Sequence, residues 1–414
     1  MKSIYKPIGD YIRRVEKRNT DLKITRLLGL SMTKEFRETT SNIIGTDMSV
    51  YKVMEKWQFA CDFMSPIRVS KLPVVLKLDE EPNLVSPAYP VFEILDKNKL
   101  EPEYLMMWFR RPEFDRYATF KCDSAIRGGY DWDELCNTRL PVPHIDKQKE
   151  IVKEYHTIIN RINLNNRLIQ KLEETAQSIY KQWFVDFEFP DAEGKAFKSN
   201  GGDMVFDKEL GMEIPRGWEV KHLKEVSSKI GSGATPGGGK TNYKRKGISL
   251  VRSLNVHDFN FDFQDLALID DDQAKKLNNV SLEENDVLLN ITGVSVARCC
   301  MVPKSILPGR VNQHVSIIRL KNDSYLSFYV LCALCSTENK SRLLGISQAG
   351  STREAITKAE IEEFRLLIPK ESIAKRFEQY MKNVFKHSEA YTYQNKNLEE
   401  FKNILLSKLA TIEN

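Results

Sequence analysis

The feature that most constrains this chain is that it is written twice. Pro143, in LPVPHIDKQKEIVKEY, and Pro369, in LLIPKESIAKRFEQYM, lie 226 positions apart (369 − 143). The same offset carries Leu172-Glu173-Glu174 onto Leu398-Glu399-Glu400. It also carries the extended run VSPAYPVFEI from Val85 onto VNQHVSIIRL from Val311. One offset relating anchors across much of each half, with no gap between them, makes the chain two copies of one unit. Each copy reads as a strand-rich globule, a proline and a long helix. FPDAEGKAFKSNGGDM, between the copies, is rich in glycine and charge and reads as a linker or loop. A length of 414 residues fits two or more cores. The expected boundaries are 1–143 for the first globule, 144–189 for its helix, 190–369 for the linker and second globule, and 370–414 for the last helix.

Both helices carry a heptad. In the first, Tyr155, Ile162, Ile169, Ala176 and Trp183 take the a positions, and Ile151, Ile158, Asn165, Leu172 and Ile179 the d positions. The second seam runs from Phe377 and Met381 to Leu405 and Leu409 and is weaker, because Ser388 and Lys402 interrupt it. Prolines just ahead of each helix suit a helix start. Helices of this size are roughly 50 Å long at 1.5 Å per residue. Two amphipathic helices that each cap their own globule are one reading. A heptad kept this long favours the other, an antiparallel coiled coil joining the copies in pseudo-twofold fashion. Pairing Ile151 with Leu409 sets Asn165 opposite Asn395, so a matched amide pair penalises slipped registers. Lys402 then falls beside Ile158 and must snorkel outward.

The globules read as α+β. DVLLNITG (Asp286 to Gly293) and HVSIIRL (His314 to Leu320) are β-rich and bounded by turn residues, while SYLSFYVLCALC and EPEYLMMWFRR look helical. The 62 basic residues against 57 acidic ones give a net charge of +5, which permits nucleic-acid binding without demonstrating it. MKSIYKPIGD has no apolar core of a secretory leader, and no apolar run reaches the roughly 18 residues of a membrane span. Seven irregularly spaced cysteines fit a reducing cytoplasm. Cys332 and Cys335 form a CxxC that Cys299 and Cys300 would complete as a four-thiolate zinc site. The stronger reading puts the first two on the apolar face of a helix as small hydrophobes.

Several phrases, in order, resemble a known family. IPRGWEVKHLKEVSSKIGSGATP (Ile214 to Pro236), GISLVRSLNV, ENDVLLNITGVSVAR, VNQHV and the approach to Pro369 resemble a target-recognition domain of type I restriction–modification specificity subunits. SIYKQWFVDFEFP (Ser178 to Pro190) resembles that family's central conserved region. The likeness covers nearly the whole chain. The first copy departs most, opening IYKPIGDYIRRV without the GWE and GxTP phrases. The resemblance implies a non-catalytic, DNA-binding subunit of a phage-defence system, built of two tandem target-recognition domains and two long helices. Each globule would read one half of a split double-stranded DNA target, with the helices as spacer. Two methyltransferase subunits would supply S-adenosylmethionine and flip the target adenine. Two nuclease–translocase subunits would bring ATP and Mg. No methyltransferase motif, dinucleotide fingerprint or convincing catalytic cluster stands against this. A recognition subunit of another defence system is the main rival.

One motif points elsewhere. ATPGGGKT, Ala234 to Thr241, matches a relaxed phosphate loop and would make the chain a nucleotidase through Lys240 and Thr241. A phosphate loop must open a helix whose amides hold the phosphate, and NYKRKG has no helical period. The better reading is a basic loop aimed at DNA. Lys240, Lys244, Arg245, Lys246 and Arg252 share one stretch without an acid, and Tyr243 is placed to pack on the sugar–phosphate backbone. A second candidate is GISQAGSTR, with Gln348, Ser351 and Arg353 as base readers. In the first globule the aligned positions are Ser31, Lys34, Arg37 and Arg127. A charge run that is only solvated surface is the competing reading.

Overall fold

The computed structural model describes residues 4–39, 45–122, 130–236, 242–321, 325–349 and 354–412. The chain forms two compact units, Met1–Arg161 with Leu398–Asn414, and Ile162–Asn397. Each unit therefore takes part of both long helices into its own body.

The first unit runs β1 (Tyr5–Pro7), β2 (Ile12–Val15), β3 (Leu28–Leu30), β4 (Phe36–Glu38), β5 (Lys52–Met54), β6 (Gln58–Cys61), α1 (Ser65–Val69), β7 (Val74–Leu76), β8 (Asn83–Val85), β9 (Val91–Ile94), α2 (Pro102–Phe109), α3 (Pro112–Lys121), α4 (Trp132–Asn137) and β10 (Arg139–Pro141), and enters α5 (Ile145–Tyr180). Its central sheet is antiparallel in the order β2-β9-β6-β7, and β1 pairs with β10 just before the helix. The strands are apolar on both sides because the sheet is buried on both faces. Phe59, Cys61, Phe92 and Ile94 face the helices and join Ile151, Val152, Tyr155, Leu406 and Leu409 in one core. Ala60, Val75 and Val91 face the other way, against Leu30, Met54 and Val85.

The second unit continues with β11 (Met204–Asp207), β12 (Met212–Pro215), β13 (Glu219–His222), α6 (Leu223–Val226), β14 (Ser227–Ser232), β15 (Ile248–Val251), β16 (Ala267–Ile269), α7 (Asp271–Lys275), β17 (Val287–Asn290), β18 (Cys299–Met301), β19 (Gly309–Val311), β20 (Val315–Leu320), α8 (Tyr325–Cys335), α9 (Thr337–Ala349), α10 (Lys358–Glu362), β21 (Arg365–Ile368) and α11 (Glu371–Lys408). The topology repeats. The sheet order is β14-β20-β17-β18, and β13 pairs with β21 ahead of α11. Val287, Leu289 and Ile318 face the helices, while Leu288, Val315 and Ile317 pack outward.

The single offset holds only for the later part of each copy. It is 226 from β10 to β21 (365 − 139) but 214 from β1 to β13 (219 − 5). The extra residues of the second copy fall between β14 and β17. Outside the central sheet the second unit has a three-stranded sheet, β16-β15-β19, and the first unit has two two-stranded ribbons, β3-β4 and β5-β8. The stretch after α5 is also not a free linker. Phe189 stacks on Phe197 at 4.5 Å and on Trp218 at 5.4 Å, and Phe187 meets Trp218 edge-on at 5.6 Å.

Within the second unit the two long helices run antiparallel. Asn165 meets Gln394 and Asn395, and further along α5 Trp183 meets Phe377, ring centroids 5.8 Å apart. Asn165 is 0% exposed, and every a position of the first seam is buried. Half-buried Lys402 pairs with Glu399 along its own helix. Among the described residues no helix is long and apolar enough to cross a membrane.

Candidate nucleic-acid interface

In the second unit the described part of the basic stretch divides into two kinds of side chain. Lys244, Arg245 and Lys246 are exposed in the turn ahead of β15. The Lys244 amide is fixed by the Leu268 carbonyl at 2.8 Å, and its ammonium lies 3.2 Å from Asp270. Tyr243 and Arg252, by contrast, turn inward. The Tyr243 ring packs against the outer core, the Arg252 guanidinium lies 5.3 Å over it, and Arg252 donates to the Asp265 carbonyl. These two support the turn, with the Arg252 guanidinium tied to the Asp265 carbonyl and laid over Tyr243. After the turn the chain enters β15, a strand, so the helix a phosphate loop requires does not follow. Gln348 is exposed near the end of α9. Lys240, Thr241, Ser351 and Arg353 lie outside the described residues, as does Arg127 in the first unit.

The first unit presents its candidates on the β3–β4 hairpin. The Ser31 amide donates to the Glu35 carbonyl at 2.9 Å, and the Ser31 hydroxyl accepts from the Glu35 amide at 3.1 Å. The exposed Arg37 reaches the Leu30 carbonyl through Nε at 3.3 Å. Lys34 is a correction. It sits at φ 63° in the turn and folds inward, 5% exposed, with its ammonium 2.8 Å from Asp115 and bonded to the Phe109 carbonyl. A lysine so enclosed has no group left to offer a phosphate, and burial holds its pKa below the ordinary lysine value despite Asp115.

The asparagines meet in one layer, although not reciprocally. Asn165 Nδ2 donates to Asn395 Oδ1 and to Gln394 Oε1, both at 2.8 Å, whereas Asn395 Nδ2 donates to Asn166 Oδ1 at 2.7 Å. Asn165 Oδ1 is buried with no partner among the described residues. The layer is a ladder of four amides rather than a closed pair.

Cys335 packs beside Cys299 and Cys332 in the inner core, but the four cysteines do not close a single site. Cys299 faces the inner core with Cys332, whereas its neighbour Cys300 faces the outer core, as alternation along β18 requires. Burial pushes the Cys332 and Cys335 thiols well up, the opposite of a thiolate metal ligand. Among the described residues no group of three or more His, Cys, Asp or Glu side chains is placed to hold a metal ion.

Sequence reading missed two features. One is the buried pair of Asp286 and Arg319, bidentate at 2.7 and 2.8 Å. The other is the tip joining β17 to β18, where Val294 is 99% exposed. Its sequence signal is the GVS turn between two β-rich runs.

Comparison with known proteins defines the class. Residues 215–404 match the type I restriction modification DNA specificity domain. Over 331 residues the chain is 26% identical to the type I restriction enzyme MjaIX specificity subunit of Methanocaldococcus jannaschii, covering 76% of this chain and 70% of that one. It is 20% identical over 377 residues to the type I restriction enzyme HindI specificity subunit of Haemophilus influenzae, covering 79% and 80%. In fold it is similar to the crystal structure of the type I restriction–modification system S subunit from M. genitalium, with TM-score 0.54 and 10% identity over 99% of this chain and 96% of that one. The second unit thus carries a type I DNA specificity domain, on a topology that the first unit repeats. The likeness over most of the chain is thus to type I restriction enzyme specificity subunits, and the domain match falls on the second copy.

Proposed function

We propose that this chain is the non-catalytic, sequence-reading subunit of a cytoplasmic type I restriction–modification complex. Each unit reads one half of a bipartite double-stranded DNA target. The long helices set the spacing of the half-sites and dock two methyltransferase subunits. Those subunits bind S-adenosylmethionine, and two nuclease–translocase subunits bring ATP and Mg. The observation that carries this reading is the repeat itself: two units of one topology, each opening into a long helix, in a chain whose second copy matches a type I DNA specificity domain. One fold duplicated but differently surfaced suits a target with two unlike halves.

Lys244, Arg245 and Lys246 supply phosphate contacts that fix register, and Gln348 is a base-edge reader. Mapping methylated adenines in cells with and without the gene tests the whole reading. Loss of one split motif is expected, and an unchanged map rejects it. On the complex, replacing Lys244, Arg245 and Lys246 together by alanine should weaken binding to all sequences. It should flatten the salt dependence by about one unit of slope per lost phosphate contact. Unchanged binding would move the DNA face elsewhere.

A further inference from the structure

The β17–β18 tip is unusual in combining full exposure with a backbone that has little freedom. Gly293 turns the chain at φ 73°, and the Val296 amide closes the turn on its carbonyl at 2.8 Å. The Gly293 amide donates to the Glu354 carbonyl at 3.0 Å, and Ala297 N and Arg298 O close back on Asn290 at 2.8 Å each. Asn290 is fully buried below. Its amide donates to Ser253 O at 2.8 Å and to Ser295 Oγ at 3.2 Å, fastening the tip to the turn that carries the exposed Leu254. Val294, at the top, touches almost nothing. An apolar side chain held this rigidly in water gains nothing for folding, and its ordering cost is already met when a partner arrives.

The surroundings say what kind of partner. Thr292 Oγ1 lies 2.6 Å from His314 Nδ1, His314 Nε2 lies 3.1 Å from Gln313, and Gln313 meets Thr235 at the opening of the glycine-rich basic stretch. Val294, with the partly exposed Leu254 on the adjoining turn, thus stands beside hydroxyl, amide and imidazole groups. A protein-docking surface would instead show a contiguous apolar centre. The first unit also exposes apolar side chains at the matching place. There Asp62 accepts from the Met64 amide at 3.0 Å and from the Ser65 hydroxyl at 2.7 Å, and the β6–β7 connection exposes Met64 and Val69. Polar groups around a small apolar group suit the edge of a base pair, whose one apolar feature in the major groove is the thymine methyl. A valine is too short for the wedge role that longer apolar residues play in the minor groove.

We propose that the β17–β18 tip is a base-reading element of the second unit, in which Val294 contacts the 5-methyl group of a thymine in the major groove. This rests on the reading that the unit binds DNA. The test uses the full chain with its methyltransferase subunits and duplexes carrying the motif found by methylation mapping. Thymines in both half-sites are replaced one at a time by deoxyuridine. One replacement should weaken wild-type binding about fourfold, the worth of one buried methyl. Val294→Ser should bind the thymine duplex about as weakly as wild type binds the uracil one, and should lose nothing further on uracil. Equal binding of every uracil duplex would overturn the proposal, as would a motif without thymine or a Val294→Ser loss that is the same on both duplexes. If wild type shows no preference for the motif over scrambled DNA, the DNA-reading assignment of the unit itself falls, and Val294 with it.

Discussion

On the strand through the middle of each sheet, the first unit carries Glu93 where the second carries Arg319, 226 positions on (319 − 93). Glu93 accepts from Gln58 at 3.1 Å and from the exposed Arg13 at 2.6 Å, a pair open to water. Arg319 closes on Asp286, which is 0% exposed, and on the Ser281 carbonyl at 2.8 Å. The first unit keeps its enclosed ion pair elsewhere, between Lys34 and Asp115. At the position matching Asp115 (115 + 226) the second unit has Ser341. The topology is thus held by apolar alternation on both faces of the sheet, while charged pairs are local solutions that each copy has settled separately. A duplicated fold conserves its pleat more readily than its electrostatics.

The comparison is tested hardest at these pairs. Arg319→Ala strands the Asp286 carboxylate in the core and should destabilise the second unit by about 3–5 kcal/mol, whereas Glu93→Ala should cost under about 1 kcal/mol in the first. Hydrogen exchange at β20 and β9 reads the two separately, and equal losses would break the contrast. Lys34→Ala should cost about 3 kcal/mol by leaving the Asp115 carboxylate with the Leu72 amide but no counter-charge, and any DNA-binding defect should track the fraction unfolded. Chemical denaturation followed beside a filter-binding series decides it.

A smaller effect is expected in the helices. Asn165→Ala removes the donor shared by Gln394 and Asn395 and should cost about 1–2 kcal/mol, seen as a lower melting midpoint. Glu173 sharpens the comparison through pH. Burial, and then Asp258, raise its carboxyl to about 7. Its repeat partner Glu399 pairs with Lys402. Because the folded value lies above the unfolded value of about 4.3, the fold gains stability as pH falls from about 7 towards 4 and bears the full penalty of the ionised form above 7. Glu173→Gln should therefore match wild type near pH 5 and exceed it near pH 8 by about 1 kcal/mol, allowing for its partial exposure. Melting curves across that range check the sign. The least effect belongs to Arg37→Ala, which should lower the salt slope of DNA binding by about one unit without moving stability.

The repeat was legible because the helix-start prolines and the later strands keep one offset, and the α+β units and paired helices follow from it. The insertion between β14 and β17 was not, since every anchor that shares the single offset lies in the later part of each copy. Heptad spacing sets Asn165 opposite Asn395, and the two side chains are bonded in the structure. Gln394 and Asn166 join them from positions outside the seam, which periodicity ignores. Charge runs misled where a partner was distant in sequence. Lys34 reads as a surface lysine until Asp115 is beside it. Val294 was passed over because the GVS turn marks a bend between strands, not which side chain the bend will lift into water.

Leu406 and Leu409, at the far end of the last helix, fill the same core as Phe59 and Phe92, and the Tyr5 hydroxyl donates to the Ala410 carbonyl. On a ribosome this inverts the usual order. The unit synthesised first is the one completed last, and its apolar wall stays open while the whole second unit is being made. The nascent chain must carry that gap through more than two hundred residues of synthesis, roughly ten seconds or more at about 5–20 residues per second. During that interval the exposed seam of α5 is a target for chaperones or for another nascent copy.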